Sequence, residues 1–183
     1  MKSKLVVLAG PSGVGKGTVV RELVRQKPQV FLSVSATTRK PRPEEKHDDH
    51  YVFLSDKEFK NEAANGNLLE YAEFAGAWYG TPRQPVEDRL NKNQVVILEI
   101  DLQGARQVKE SMPDAFMIFL KPPSIDELKR RLIERGTEKP EELELRLKVA
   151  TSEIEAENEF DAVVINEDVQ SAVEQLIRLL NLT

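Results

Sequence analysis

Gly10-Pro11-Ser12-Gly13-Val14-Gly15-Lys16-Gly17-Thr18 separates an apolar run, Lys4 to Ala9, that reads as a buried strand from a segment, to about Gln26, that reads as a helix. Glycines at this spacing let backbone N–H groups turn inward around phosphate oxygens. The helix that follows aims its positive end at the same anion. Lys16 then reaches the β- and γ-phosphates of a nucleoside triphosphate. The position after the lysine usually offers a hydroxyl to Mg²⁺; here it is Gly17, with Thr18 one place on. The ion is therefore expected to be held mainly through phosphate oxygens and water.

Outward from this loop, short apolar runs at Val95 to Ile100, Phe116 to Leu120 and Ala162 to Ile165 read as further buried strands. They alternate with helical patterns, which predicts an α/β, P-loop NTPase fold: a parallel-sheet core flanked by helices. Ser55 with Glu58 and Ser124 with Glu127 have capping-box spacing, and Pro82 follows a candidate cap at Thr81. The helix from Ser124 is expected to end at Gly136, and a second, from about Glu141, carries Leu143, Leu147, Ala150 and Ile154 on one face. From Phe31 to about Tyr79 the rhythm breaks into short strands, a Pro- and charge-rich loop (Arg39 to Asp49) and one helix. That stretch reads as a small insertion over the main sheet, and the Arg-rich hairpin around Gly136 as a second flap. Two such flaps suit an enzyme that must keep water from a reactive phosphate.

Composition narrows the class. The chain has 183 residues, 40% hydrophobic and 31% charged, the profile of an ordinary globular domain. Its longest apolar runs are far too short to span a bilayer, and Met1 to Lys4 lead straight into the first strand, so neither a membrane span nor a signal peptide is expected. The absence of cysteine excludes disulfides and thiolate metal sites and fits a reducing, cytoplasmic setting. A net charge of -5 argues against nucleic-acid or membrane-surface binding. Anions must then be handled by local basic clusters.

Such clusters exist. Arg39 and Arg42 flank Pro41, where an anion between the two guanidiniums would relieve their repulsion. Arg131 and Arg135 stand four apart on one helical face, and Arg146 follows on the next helix. Glu99 and Asp101, two apart at the end of an apolar strand, are expected on one side of the sheet, placed to serve Mg²⁺ or its waters. His47-Asp48-Asp49-His50 contains both histidines of the chain but has no distant third ligand, so it is not read as a metal site.

The landmarks Gly10 to Thr18, Ser35 to Arg42, Tyr51, Leu69-Glu70-Tyr71, Tyr79-Gly80-Thr81-Pro82, Leu98 to Gly104, Pro122-Pro123-Ser124, Arg135-Gly136-Thr137 and Asn166, in that order, resemble the bacterial guanylate kinases along essentially the whole chain. The resemblance implies one domain with a core (1–30, 82–123 and 159–183), a GMP-binding insertion (31–81) and a lid (124–158). It implies transfer of the γ-phosphoryl of ATP to GMP, with Mg²⁺ carried as MgATP and dGMP as a further candidate acceptor. Arg39, Arg42, Tyr51 and Tyr79 would hold the GMP phosphate, while Ser35, Glu70, Thr81 and Asp101 would read the base. Gly10 to Thr18, Arg131 and Asn166 would bind ATP, and Lys16, Arg39, Arg42, Arg135 and Arg146 would neutralise the transferring group. Glu44 and His50 depart from the family pattern, which bears on the conformation of the loop. The expected assembly is a monomer or weak homo-oligomer. Two other readings are a related small-molecule phosphate kinase, which should lack Glu70 with Tyr79-Gly80-Thr81, and a silent protein-binding module, which should have lost the working phosphate loop.

Overall fold

The structure, a computed structural model, describes residues 4–134 and 140–182. β1 (Lys4–Ala9) enters the Gly-rich loop and α1 (Lys16–Gln26) leaves it, as predicted. Next come β2 (Val30–Leu32), β3 (Ala36–Thr37), β4 (Val52–Phe53) and α2 (Asp56–Ala64). β5 (Leu68–Phe74) and β6 (Ala77–Pro82) pair antiparallel ahead of α3 (Arg83–Asn91). β7 (Val95–Glu99), α4 (Leu102–Ser111), β8 (Phe116–Lys121) and α5 (Ile125–Glu134) follow. α6 (Pro140–Ile154), a 3-10 turn at Glu155–Glu159, β9 (Ala162–Ile165) and α7 (Val169–Leu180) complete the described chain.

The larger sheet runs β2-β7-β1-β8-β9, and its registered pairs β2–β7 and β8–β9 are parallel. Parallel strands are covered on both faces, which is why they read as unbroken apolar runs: Val6, Val7, Leu8 and Ala9 are all buried. The smaller sheet, β4-β3-β6-β5, comes wholly from the stretch whose rhythm broke. None of the described helices is long and apolar enough to cross a membrane.

Contacts divide the described residues into two compact units, one of residues 4–6, 30–98 and 103–115, the other of 7–29, 99–102, 116–134 and 140–182. In the first, Phe59 of α2 packs with Ala36, Leu68 and Trp78. Its helix starts on the predicted capping box: the Ser55 hydroxyl accepts from the Glu58 N–H and Glu58 accepts from the Ser55 N–H. In the second, Leu128 and Leu132 of α5 meet Leu143, Leu147 and Ala150 of α6, the apolar face expected there.

One local expectation fails for a physical reason. Thr81 does not cap α3, because its hydroxyl is committed to Glu70; the helix starts a residue later, with Pro82 at its N-cap and no side-chain cap. β7 ends at Glu99 and α4 begins at Leu102, so Asp101 lies in the short link between them. Arg135, Gly136 and Thr137, which carry the expected hairpin turn and one lid arginine, lie outside the described residues.

Candidate active site

The phosphate loop belongs to the second unit. Gly13 and Gly15 take φ of +86° and +98°, and a Cβ on either would meet a neighbour at 2.6 Å (Leu132 Cδ2) or 2.8 Å (Asn166 Nδ2). Only glycine fits both positions. Gly15 starts α1 without a side-chain cap, so the first helical N–H groups stay available to an anion. The Lys16 ammonium donates to the carbonyls of Gly10 (2.6 Å) and Pro11 (3.3 Å).

Three predicted ATP-side residues converge on this loop. Asn166 is buried, and its Nδ2 donates to the Val14 carbonyl at 2.7 Å. Its Oδ1 is buried with no hydrogen-bond partner among the described residues, an acceptor that an amino group could satisfy. Arg131 donates to Glu127 (2.8 Å) and to the carbonyls of Val14, Asn166 and Glu167, tying the loop to the Asn166 turn. Hydrogen bonds from Arg130 and then Arg131 pull the Glu127 carboxyl down to about 2. Arg146 donates to the Ser12 hydroxyl at 3.2 Å. Thr18 is exposed and lines a shallow cleft with Arg21 and Gln170.

Gly17 lies close against two side-chain ends. A Cβ there would lie 3.2 Å from Glu99 Oε1 and 3.3 Å from Arg21 Nη1, so those ends would have to give by a few tenths of an ångström. Burial raises the Glu99 pKa, opposed by the charges of Lys16 and Arg21. Two carboxylates, Glu99 and Glu153, stand beside the loop, position 17 offers no hydroxyl, and no cluster of three ligating side chains occurs among the described residues, a set that fits a Mg²⁺ ion completed by phosphate oxygens and water.

The sequence missed Glu153. It follows Arg146 by seven residues on α6, two helical turns, and so shares its face toward Ser12. That spacing was the available signal.

The first unit holds the other predicted cluster. Glu70 and Thr81 are 4% and 1% exposed, and the Thr81 hydroxyl donates to Glu70 Oε1 at 2.6 Å, a short charge-assisted bond. The Arg39 guanidinium lies 5.4 Å from the Tyr51 ring centroid and hydrogen-bonds the Tyr79 side chain. The Tyr51 and Tyr79 rings meet edge to face at 6.0 Å. The Ser35 carbonyl accepts from the Val52 N–H, fixing the chain ahead of β3.

The anion that the two arginines share is Glu45. It takes the Arg39 Nη2 donor and the Arg42 backbone N–H, each at 2.8 Å, while the Arg42 side chain is exposed. Those bonds, Arg39 first, hold its carboxyl at about 2. The His47 and His50 Nδ1 atoms each accept a backbone N–H, from Phe53 and Lys46, so both rings shape this loop. Asp101 lies in the second unit.

A family model described as "Guanylate kinase" matches residues 2–182. The chain is 57% identical to the guanylate kinase of Streptomyces coelicolor, covering 98% of this chain and 91% of that one. It is 55% identical to the guanylate kinase of Thermobifida fusca, over 97% and 90% of the two chains. Among solved structures, guanylate kinase from Anaplasma phagocytophilum superposes with a TM-score of 0.81 at 33% identity, covering 99% of this chain and 86% of that one. Shikimate kinase from Bacteroides thetaiotaomicron, at 20% identity and a TM-score of 0.54, shares the fold alone. The chain belongs to the guanylate kinase family.

Proposed function

We propose that the protein transfers the γ-phosphoryl group of MgATP to GMP, giving ADP and GDP, in the cytoplasm. The observation that carries the acceptor is the buried Glu70 carboxylate, held by Thr81. Guanine presents its ring N1–H and exocyclic amine as adjacent donors, which suit a carboxylate. Adenine presents an acceptor at N1 and would be repelled. Asp101 and Ser35 complete the base site, and Arg39, Arg42, Tyr51 and Tyr79 hold the acceptor phosphate. The insertion (31–81) and lid (124–158) close over a single-domain core. dGMP is a further acceptor in this reading.

The acceptor oxygen is already ionised at neutral pH, so no general base is needed. Catalysis comes from in-line positioning and neutralisation of the transferring group. The loop N–H groups and Lys16 hold the donor phosphates, Asn166 offers Oδ1 to the adenine amine, and Arg131 fixes the turn that carries Asn166. Arg135 and Arg146 add charge from the lid side, Arg39 and Arg42 from the acceptor side. Mg²⁺ would supply charge neutralisation at the donor phosphates, with Glu99 or Asp101 reaching its waters. A coupled ADP-release assay across GMP, AMP, CMP and UMP tests the reading: GMP should be preferred by orders of magnitude, and comparable rates with AMP would overturn it.

A further inference from the structure

Glu153, on the last turn of α6, has no part in the reaction described above. Its carboxylate accepts the backbone N–H of Ser12 and faces the Lys16 ammonium, with Asp101 adding repulsion. Its Oε2 is buried without a hydrogen-bond partner among the described residues. Burial, the larger influence, raises its pKa. Two turns earlier on the same helix, Arg146 donates to the hydroxyl of the same Ser12. One helix thus presents a cation and an anion to one residue of the phosphate loop.

An N–H group serves one acceptor at good geometry, and a phosphoryl oxygen needs the donors that Glu153 engages. A carboxylate cannot stay beside a polyphosphate without a large electrostatic cost. We propose that Glu153 competes with the nucleotide phosphates for the Ser12 N–H and the Lys16 charge, so that ATP must displace the end of α6 to bind. Its return then drives nucleotide release. Arg146, on the same face, is attracted to the phosphates that Glu153 repels, so the helix is biased in both directions by residues two turns apart. The inference rests on the reading of this loop as the ATP site.

The test measures binding of MgAMP-PNP, a non-hydrolysable ATP analogue, by calorimetry to the parent, Glu153→Gln and Glu153→Ala, with dissociation followed by stopped flow. Glutamine keeps the size and removes the charge, so it serves if alanine impairs folding; melting temperatures report on that. Both variants should bind roughly tenfold more tightly, mainly through slower dissociation. Affinity within about twofold of the parent, or weaker, in Glu153→Gln would overturn the proposal, since a carboxylate that only supports the loop gives that result. Lys16→Met separates the two failures. If that change leaves the analogue's affinity intact, the ATP-site reading falls. If it weakens binding while Glu153→Gln changes nothing, only the competition falls.

Discussion

Replacing Glu70 by glutamine changes one atom and one charge at a site with little room to adapt. Glu70 is 4% exposed and Thr81 only 1%, so neither can be rescued by bulk water. The amide oxygen can still accept the Thr81 hydroxyl, now at 2.6 Å from Oε1, which confines the new NH₂ group to the other carboxylate position. There it would face guanine's own donors. A buried donor left without an acceptor costs about 1–3 kcal/mol, and losing a bond to a charged group costs in the same range. The combined effect on the transition state is about 2–3 kcal/mol, or roughly a hundredfold in kcat/KM for GMP. Asp101→Asn, at a half-buried position, should also lower GMP efficiency by roughly a hundredfold, since its amide would set a donor against guanine's own. The ATP KM should move little, because the phosphate loop makes none of these contacts. AMP turnover should rise slightly in Glu70→Gln, since the amide can donate to adenine N1. The assay is steady-state turnover of GMP and AMP by both variants at saturating MgATP. GMP efficiency within about threefold of the parent in both would refute base reading by these residues.

Lys16→Met should abolish most turnover while GMP affinity survives, because the lysine's charge matters most as the transferring group becomes electron-rich; kcat and a GMP titration check it, and near-normal turnover contradicts the role. Gly10→Ala should cost at least about 3 kcal/mol or prevent folding. A Cβ there would lie 2.1 Å from the Leu120 carbonyl oxygen at a φ of +153°, and backbone cannot rotate aside; thermal melting decides it. Glu45 is held at about 2 against an ordinary 4.5, so its bond to Arg39 adds stability that is full above that ordinary value and is lost as pH falls through about 2. Following Tyr51 and Tyr79 resonances in an acid titration should show this transition in the parent and not in Glu45→Gln.

The strands and helices of the core were legible because burial on two faces forces unbroken apolar runs, and because Ser55 with Glu58 is a local signal that needs no tertiary context. Thr81 was misread for the opposite reason. A threonine before a proline is a good cap until a buried carboxylate on the neighbouring strand takes its hydroxyl, and that partner is eleven residues away. Where β7 stops is not marked in the sequence, so strand alternation alone cannot assign a side to Asp101. The crowding at Gly17 comes in part from Glu99, which reaches it from β7. The phosphate loop and the arginines were singled out from motif and charge, and Glu99 from its place at a strand end. Glu45 and Glu153 were not, since a glutamate among 31 acidic residues carries no mark of its partner.

Those acids explain how a chain of net charge -5 maintains anion sites. Glu45 stands on Arg39, Glu127 on Arg131, and Glu99 and Glu153 face Lys16. A cluster of cations without such partners would repel itself and destabilise the fold, so each is compensated in place. The consequence differs with the donor. Arginine carries five N–H groups, and Arg39 commits Nη1 to Lys40 and Nη2 to Glu45 while resting against Tyr51. In the proposed reading a phosphate binds the same guanidinium with Glu45 and Tyr79 still in place, and Glu45 would hold it ready. The Ser12 N–H is a single donor, so the carboxylate of Glu153 and a phosphate exclude one another there. Compensation by the same residue type thus pre-orients the acceptor side and sets a threshold on the donor side.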